Sequence, residues 1–140
     1  MSTKLPHEVL DEVNKRKTKA EKIQILKKYE SWALKDIIRG SMDTSINWLL
    51  PTGAAPPYVP SQEHSTPTSI LREHKKFAYF AKGGKGPNLP MIKRETMFIG
   101  ILEGIHPEDA KLCVDMINKK TPKGLTKAIV NEAFPGLLRD

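Results

Sequence analysis

Apolar residues recur at helical intervals through most of the chain. Over 5–17, Leu5, Val9, Leu10 and Val13 fall on one helical face, and Pro6 suits a first turn, where no amide hydrogen is needed. Thr18-Lys19-Ala20-Glu21 then has the capping-box pattern, in which a hydroxyl and a carboxylate satisfy each other's orphan amides. It predicts a second helix carrying Ile23, Ile25, Leu26 and Tyr29. A third is predicted over 32–39 with Leu34, Ile37 and Ile38 apolar, and Gly40 is expected as its left-handed stop.

The pattern breaks after Asn47. Pro51, Pro56, Pro57, Pro60 and Pro67 remove amide donors and restrict the residues before them, so 51–67 reads as an irregular connection inside one domain. Loops of this length are usually functional or mobile. Trp48, Leu49, Leu50 and Tyr58 would be costly to leave in water, which favours a segment wrapped against the body of the protein.

Helical spacing returns after a Thr68 or Ser69 cap, with Ile70, Leu71, Phe77, Tyr79 and Phe80 in the run and the glycines of 82–88 as its stop. Residues 91–104 place Met91, Met97, Phe98, Ile101, Leu102 and Ile105 on one broad face. His106-Pro107-Glu108-Asp109 opens the next helix, with Pro at its first position and carboxylates where the macrodipole favours anions. Leu112, Cys113, Met116 and Ile117 are its apolar face, and a last helix is predicted over 126–133. With no sustained alternation and no repeat, the class is all-α: a single domain over 1–140, a compact bundle of about six or seven helices with a long Pro-rich connection.

Composition narrows the function. The 140 residues carry 23 Lys and Arg against 16 Asp and Glu, a formal charge of +7 that would recruit nucleic acid, an anionic membrane or an acidic protein. No apolar run approaches the length of a membrane span, so no membrane association is expected. A single cysteine and the absence of an apolar leader suggest a reducing, cytoplasmic setting.

Candidate chemistry is sparse. His7, His64, His74 and His106 lie in four segments without metal-ligand spacing and read as surface or capping histidines. Cys113 reads as an inert core thiol, and Glu108 and Asp109 as first-turn charges. No triad, metal set or nucleotide loop is recognisable, so neither catalysis, a cofactor nor a small-molecule substrate is expected. The stretch 82–88 is a glycine-lysine loop whose Lys82 and Lys85 could touch a nucleic-acid backbone.

The densest cationic stretch is 119–127, where Lys119, Lys120, Lys123 and Lys127 surround Pro122 and Gly124 with no acid before Glu132. Thr126 can cap the following helix, whose free amides and positive dipole end would face the same space. Together these are the ingredients of a phosphate clamp.

Two stretches, 9–51 and 112–137, give the chain a likeness to a known family. Both Gly124 and Phe134-Pro135-Gly136-Leu137 fall in the order and spacing found in the N-terminal, all-helical DNA-binding domain of the ATP-dependent DNA ligases of T-even bacteriophages, which the chain resembles over most of its length. The middle, about 55–90, departs from that family. The resemblance implies Lys120, Lys123, Gly124, Thr126 and Lys127 against the phosphates of duplex DNA, which in ligases is nicked. The chemistry does not carry over, since no Lys-x-Asp-Gly adenylation tetrapeptide occurs here. The chain is also similar to small uncharacterised phage proteins, a likeness that brings no function, and phage origin would make the cytoplasm that of the host.

Two functions follow as expectations. One is a sequence-nonspecific module gripping double-stranded DNA by its backbone, since nothing resembles a base-reading helix. The other is an accessory module that binds a replication or host protein through Trp48 and Tyr58.

Overall fold

The computed structural model describes residues 4–50, 56–62, 64–82 and 89–138. Its elements are α1 (Pro6–Lys15), α2 (Lys19–Lys28), α3 (Trp32–Met42), α4 (Ile70–Glu73) running into a 3-10 turn (His74–Tyr79), α5 (Met91–Gly104), α6 (Pro107–Ile117) and α7 (Lys127–Ala133). No strand occurs among the described residues; a lone antiparallel bridge joins Trp48 and Ala81. The class is all-α, as the spacing predicts. No described helix is long and apolar enough to cross a membrane.

Local chemistry sets most boundaries. At α1, Pro6 is the first helical residue and the Glu8 carboxylate accepts the Leu5 amide at 2.8 Å. At α2 the Thr18 hydroxyl accepts the Glu21 amide at 3.2 Å, but the Glu21 carboxylate takes the Thr18 hydroxyl proton at 2.9 Å, where a full capping box would have it accept the cap amide. The hydroxyls of Ser31, Ser69 and Thr126 cap α3, α4 and α7 by accepting the amides of Leu34, Leu71 and Ile129. The helix expected from Ile70 to Phe80 keeps α geometry for one turn and tightens to 3-10 at His74.

Two apolar clusters share α3 as their wall. Leu34, Ile38 and Met42 join α1, α2 and α7 through Val9, Leu26 and Val130, while Ile37 faces the cluster of Phe80, Phe98, Leu102 and Met116 from α5, α6 and the 3-10 turn. Burial of side chains this size contributes roughly 1.5–3 kcal/mol each before chain entropy is counted.

Gly40 corrects the sequence reading. It does not stop α3, which continues to Met42. A β-carbon at Gly40 would lie 2.5 Å from Trp48 Cζ2 and 2.7 Å from Met116 Sδ, so the residue is small because two side chains press on the helix backbone. The Trp48 indole also donates to Gly40 O at 3.0 Å.

The Pro-rich connection wraps where it is described. Leu50 is buried, and Trp48 and Tyr58 pack on the second cluster. Val59 N donates to Glu103 Oε2 at 2.8 Å, Ser61 Oγ donates to Glu103 O, and Thr68 N donates to Gly104 O at 2.9 Å, tying the segment to the end of α5. Met91, assigned by spacing to the buried face of α5, is instead 49% exposed, next to Ile92 at 74%.

Candidate nucleic-acid interface

The lysine-rich turn is built outward from the end of α6. Lys119 N donates to Met116 O and Lys120 N to Asp115 O, both at 3.0 Å, the paired bonds of a Schellman stop. The left-handed residue of that motif is usually glycine. Here it is Lys119, with φ 58°. A β-carbon in this conformation costs on the order of 1–2 kcal/mol. Its side chain supplies compensation: Lys119 Nζ donates to Gly40 O at 2.8 Å and to Asp43 O at 2.7 Å, placing an ammonium on the negative end of α3.

Gly124 is likewise turned inward. Its φ is +86°, and a β-carbon there would stand 3.0 Å from the Asn14 Cα of α1. Gly124 O accepts Lys22 Nζ from α2 at 3.0 Å. Leu125 is buried in the first core cluster, so the turn is anchored at both ends. Lys119 and Gly124, both expected against phosphate, thus also hold the turn against its neighbours.

Lys119, Lys120, Lys123, Thr126 and Lys127 are all exposed, Lys119 with its ammonium on the end of α3. The Thr126 hydroxyl accepts Ile129 N at 3.3 Å. The helix it caps has seven residues, which leaves a smaller macrodipole than the clamp reading assumes. Lys120 and Lys123 stand on one rim of a groove of about 440 Å³ between α1 and α6, with Lys111 on the α6 wall. Asp11, Glu108 and Asp115 share that groove. Lys111 reaches Glu108 at 3.2 Å, and Lys120 stands 3.9 Å from Asp115. These exposed pairs are worth little and are easily exchanged. The lining of the groove is mixed in charge.

Lys82 is exposed, and its amide donates to Asn47 O at 2.8 Å beside Trp48. Since the Trp48 indole and Lys119 share Gly40 O as acceptor, the two basic stretches are joined through one tryptophan. Lys85 lies outside the described residues.

Spacing did not disclose the buried link under the other end of the groove. Asp109 is fully buried; its Oδ1 accepts His7 N at 3.0 Å and sits 3.0 Å from His7 Nδ1, while Oδ2 has no hydrogen-bond partner among the described residues. The His7 ring stacks on His106 with centres 4.2 Å apart. Partial burial opposes a charge on His7, but the hydrogen bond to Asp109 and the carboxylates of Asp109, Glu8 and Asp11 outweigh it, so its pKa is raised. His74 is buried too, 2.6 Å from Asp36. Of the four histidines only His106 caps a helix, accepting Glu108 N at 3.1 Å. No set of three metal-ligating side chains occurs among the described residues. Cys113 is fully buried, and burial, with the nearby Asp109 carboxylate adding to it, pushes its thiol pKa up.

The fold and its surface define a small all-helical protein with an anchored, outward-facing lysine turn. The chain belongs to a family of unknown function (DUF6433), whose model matches residues 9–123, from α1 to the lysine turn. No curated protein matches it.

Proposed function

We propose that this protein binds the phosphate backbone of duplex DNA without base preference and without catalysing a reaction on it. The observation that carries the reading is the rim formed by Lys120 and Lys123, two exposed ammoniums on a turn pinned from behind by Lys119, Lys22 and Leu125. A pinned turn holds its charges in place before binding, which lowers the ordering cost. Lys127, exposed at the start of α7, extends the cationic edge. Asp11, Glu108 and Asp115 disfavour a phosphate seated deep among them, so the backbone is expected along the turn itself. Support also comes from the ligase-like resemblance, in which the matching turn touches DNA backbone, and from the net charge of +7.

Among the described residues Asn14 is the one amide side chain lining the groove and no arginine does, and phosphate contacts carry no base information. With the Lys119 ammonium engaged by Gly40 O and Asp43 O, about three lysines neutralise phosphates, and affinity falls roughly fortyfold between 50 and 200 mM salt. Fluorescence anisotropy with intact, nicked and single-stranded DNA across that range tests this. Replacing Lys120 and Lys123 by Glu should abolish duplex binding at unchanged helicity. A salt-independent affinity, or full binding by the double variant, would overturn the reading.

A protein-binding reading loses support at its original anchors, because Trp48 and Tyr58 pack on the second core cluster. It keeps one observation, the exposed Met91 and Ile92 at the start of α5. A replication or host protein docking there would be lost by Ile92→Glu with duplex binding intact.

A further inference from the structure

Trp32 opens α3 at its corner with α2 and is 68% exposed, the one tryptophan, tyrosine or phenylalanine so placed among the described residues. Lys35 and Arg39 follow at helical spacing on the same face, about 10 Å of helix from first to last. The turn Phe134-Pro135-Gly136-Leu137 forms the opposite wall, and the groove between them has a volume of about 390 Å³.

The ring is already polarised from one side. Lys35 Nζ lies 4.7 Å from the centre of the Trp32 ring and 5.4 Å from that of Phe134. With one face of the indole lent to an ammonium and most of the residue in solvent, the other face is open. Three residues earlier, Tyr29 has Lys4 Nζ and Lys28 Nζ each 5.2 Å from its ring centre. The groove itself is lined by Lys35 and Arg39 against Glu30. Lys35 to Glu30 and Arg39 to Asp36 are ion pairs at 3.1 Å on partly exposed groups, weak enough for a phosphate to replace the carboxylate.

Ligand chemistry follows from these two features together. A cationic ligand would be repelled, and an aliphatic one would leave the cations unused. An acidic peptide would use the cations and leave the indole face bare. A nucleotide uses both, stacking its base on the indole while its phosphate meets Lys35 or Arg39. Within duplex the faces of the bases are already stacked, so the occupant has unpaired bases.

We propose that the groove between Trp32 and the Phe134–Leu137 turn binds single-stranded nucleic acid, one base stacked on Trp32 and the adjoining phosphate held by Lys35 and Arg39. Every base has a stacking face, so the site tolerates sequence. It is separate from the duplex reading and does not depend on it.

The test titrates the protein with an oligothymidylate of about twelve nucleotides, within the usual range of single-strand site sizes, with an oligouridylate of the same length, and with a blunt hairpin duplex closed by a non-nucleotide linker, which offers no unpaired base. Emission present in the wild type and missing from Trp32→Phe reports on Trp32. Oligothymidylate should quench that emission and shield it from acrylamide. Trp32→Ala, an exposed substitution that circular dichroism can show to be folded, should weaken oligothymidylate binding about tenfold or more and leave hairpin binding unchanged. The oligouridylate arm tells whether DNA or RNA is the preferred source of the same chemistry. Unchanged acrylamide access at saturating oligothymidylate would overturn the proposal. So would equal affinity of Trp32→Ala, which would assign the ring to a protein partner, or an equal loss on the hairpin, which would remove the preference for unpaired bases.

Discussion

The lysine turn and the corner between α2 and α3 are both crowded with cations, yet they use them in opposite ways. In the turn, Lys119 is drawn back to the carbonyl end of α3 and Lys22 is fixed to Gly124 O, so part of the positive charge is structural. At the corner, ammoniums lie over aromatic rings and beside partly exposed carboxylates, where exchange costs little. The density of lysines in a stretch therefore does not measure the charge it can offer. What a lysine does depends on which acceptors the neighbouring elements present.

The comparison breaks most severely at Gly40, where the lysine turn is seated. Gly40→Ala would set a β-carbon 2.5 Å from the Trp48 ring and 2.7 Å from Met116, against packed side chains. We expect a loss of about 3 kcal/mol in denaturant unfolding. A neutral result would mean that this wall yields and the seat is soft.

Next in size, Lys119→Ala should cost about 2 kcal/mol, because hydrogen bonds to a charged group are lost while the left-handed backbone is kept. Lys119→Gly should lose about 1 kcal/mol less, since it removes the β-carbon penalty at φ 58°. Lys120→Ala, one residue on, should change stability by no more than about 0.5 kcal/mol. Equal effects at 119 and 120 would erase the distinction drawn between an ammonium bound to a helix end and one in a weak surface pair.

A smaller effect is expected from pH at the α1–α6 contact. The folded pKa of His7 is raised above 6.5, so the protonated ring contributes stability that is full below that value and is lost as pH rises through the folded pKa. Thermal unfolding from pH 5 to 9 should show this decline, and His7→Gln should flatten it. The smallest effect belongs to the corner: Glu30→Gln removes the partner of Lys35 and should shift stability by less than about 0.5 kcal/mol.

Much of the helical frame was legible in the chain. α5 matches the predicted 91–104, α6 opens on Pro107, and Thr18 and Thr126 cap as expected, because these depend on residues within one turn of each other. Gly40 was misread because a glycine after an apolar run usually ends a helix, and nothing nearby reveals that Trp48 and Met116 will press on it. Likewise, Asp109 read only as a first-turn charge, and nothing nearby reveals that α1 brings His7 onto it. Trp32 sat unremarked at a helix start, since spacing alone does not say which large ring is left uncovered. The signal that could have found it is the Trp-Lys-Arg series on one face of α3, opposite the buried Leu34 and Ile38.

By itself, then, the sequence determined the all-helical class, most helix starts and the cationic stretch 119–127, because propensity, capping and periodicity act over a few residues. Only the tertiary structure decided which cations face solvent, why Gly40 must be small and that Trp32 stays open. Those properties arise from contacts between residues some 8 to 102 positions apart, such as Trp48 with Gly40, Lys119 with Gly40 O and His7 with Asp109. No local pattern encodes them, for a side chain's surroundings are set by the elements that pack against it.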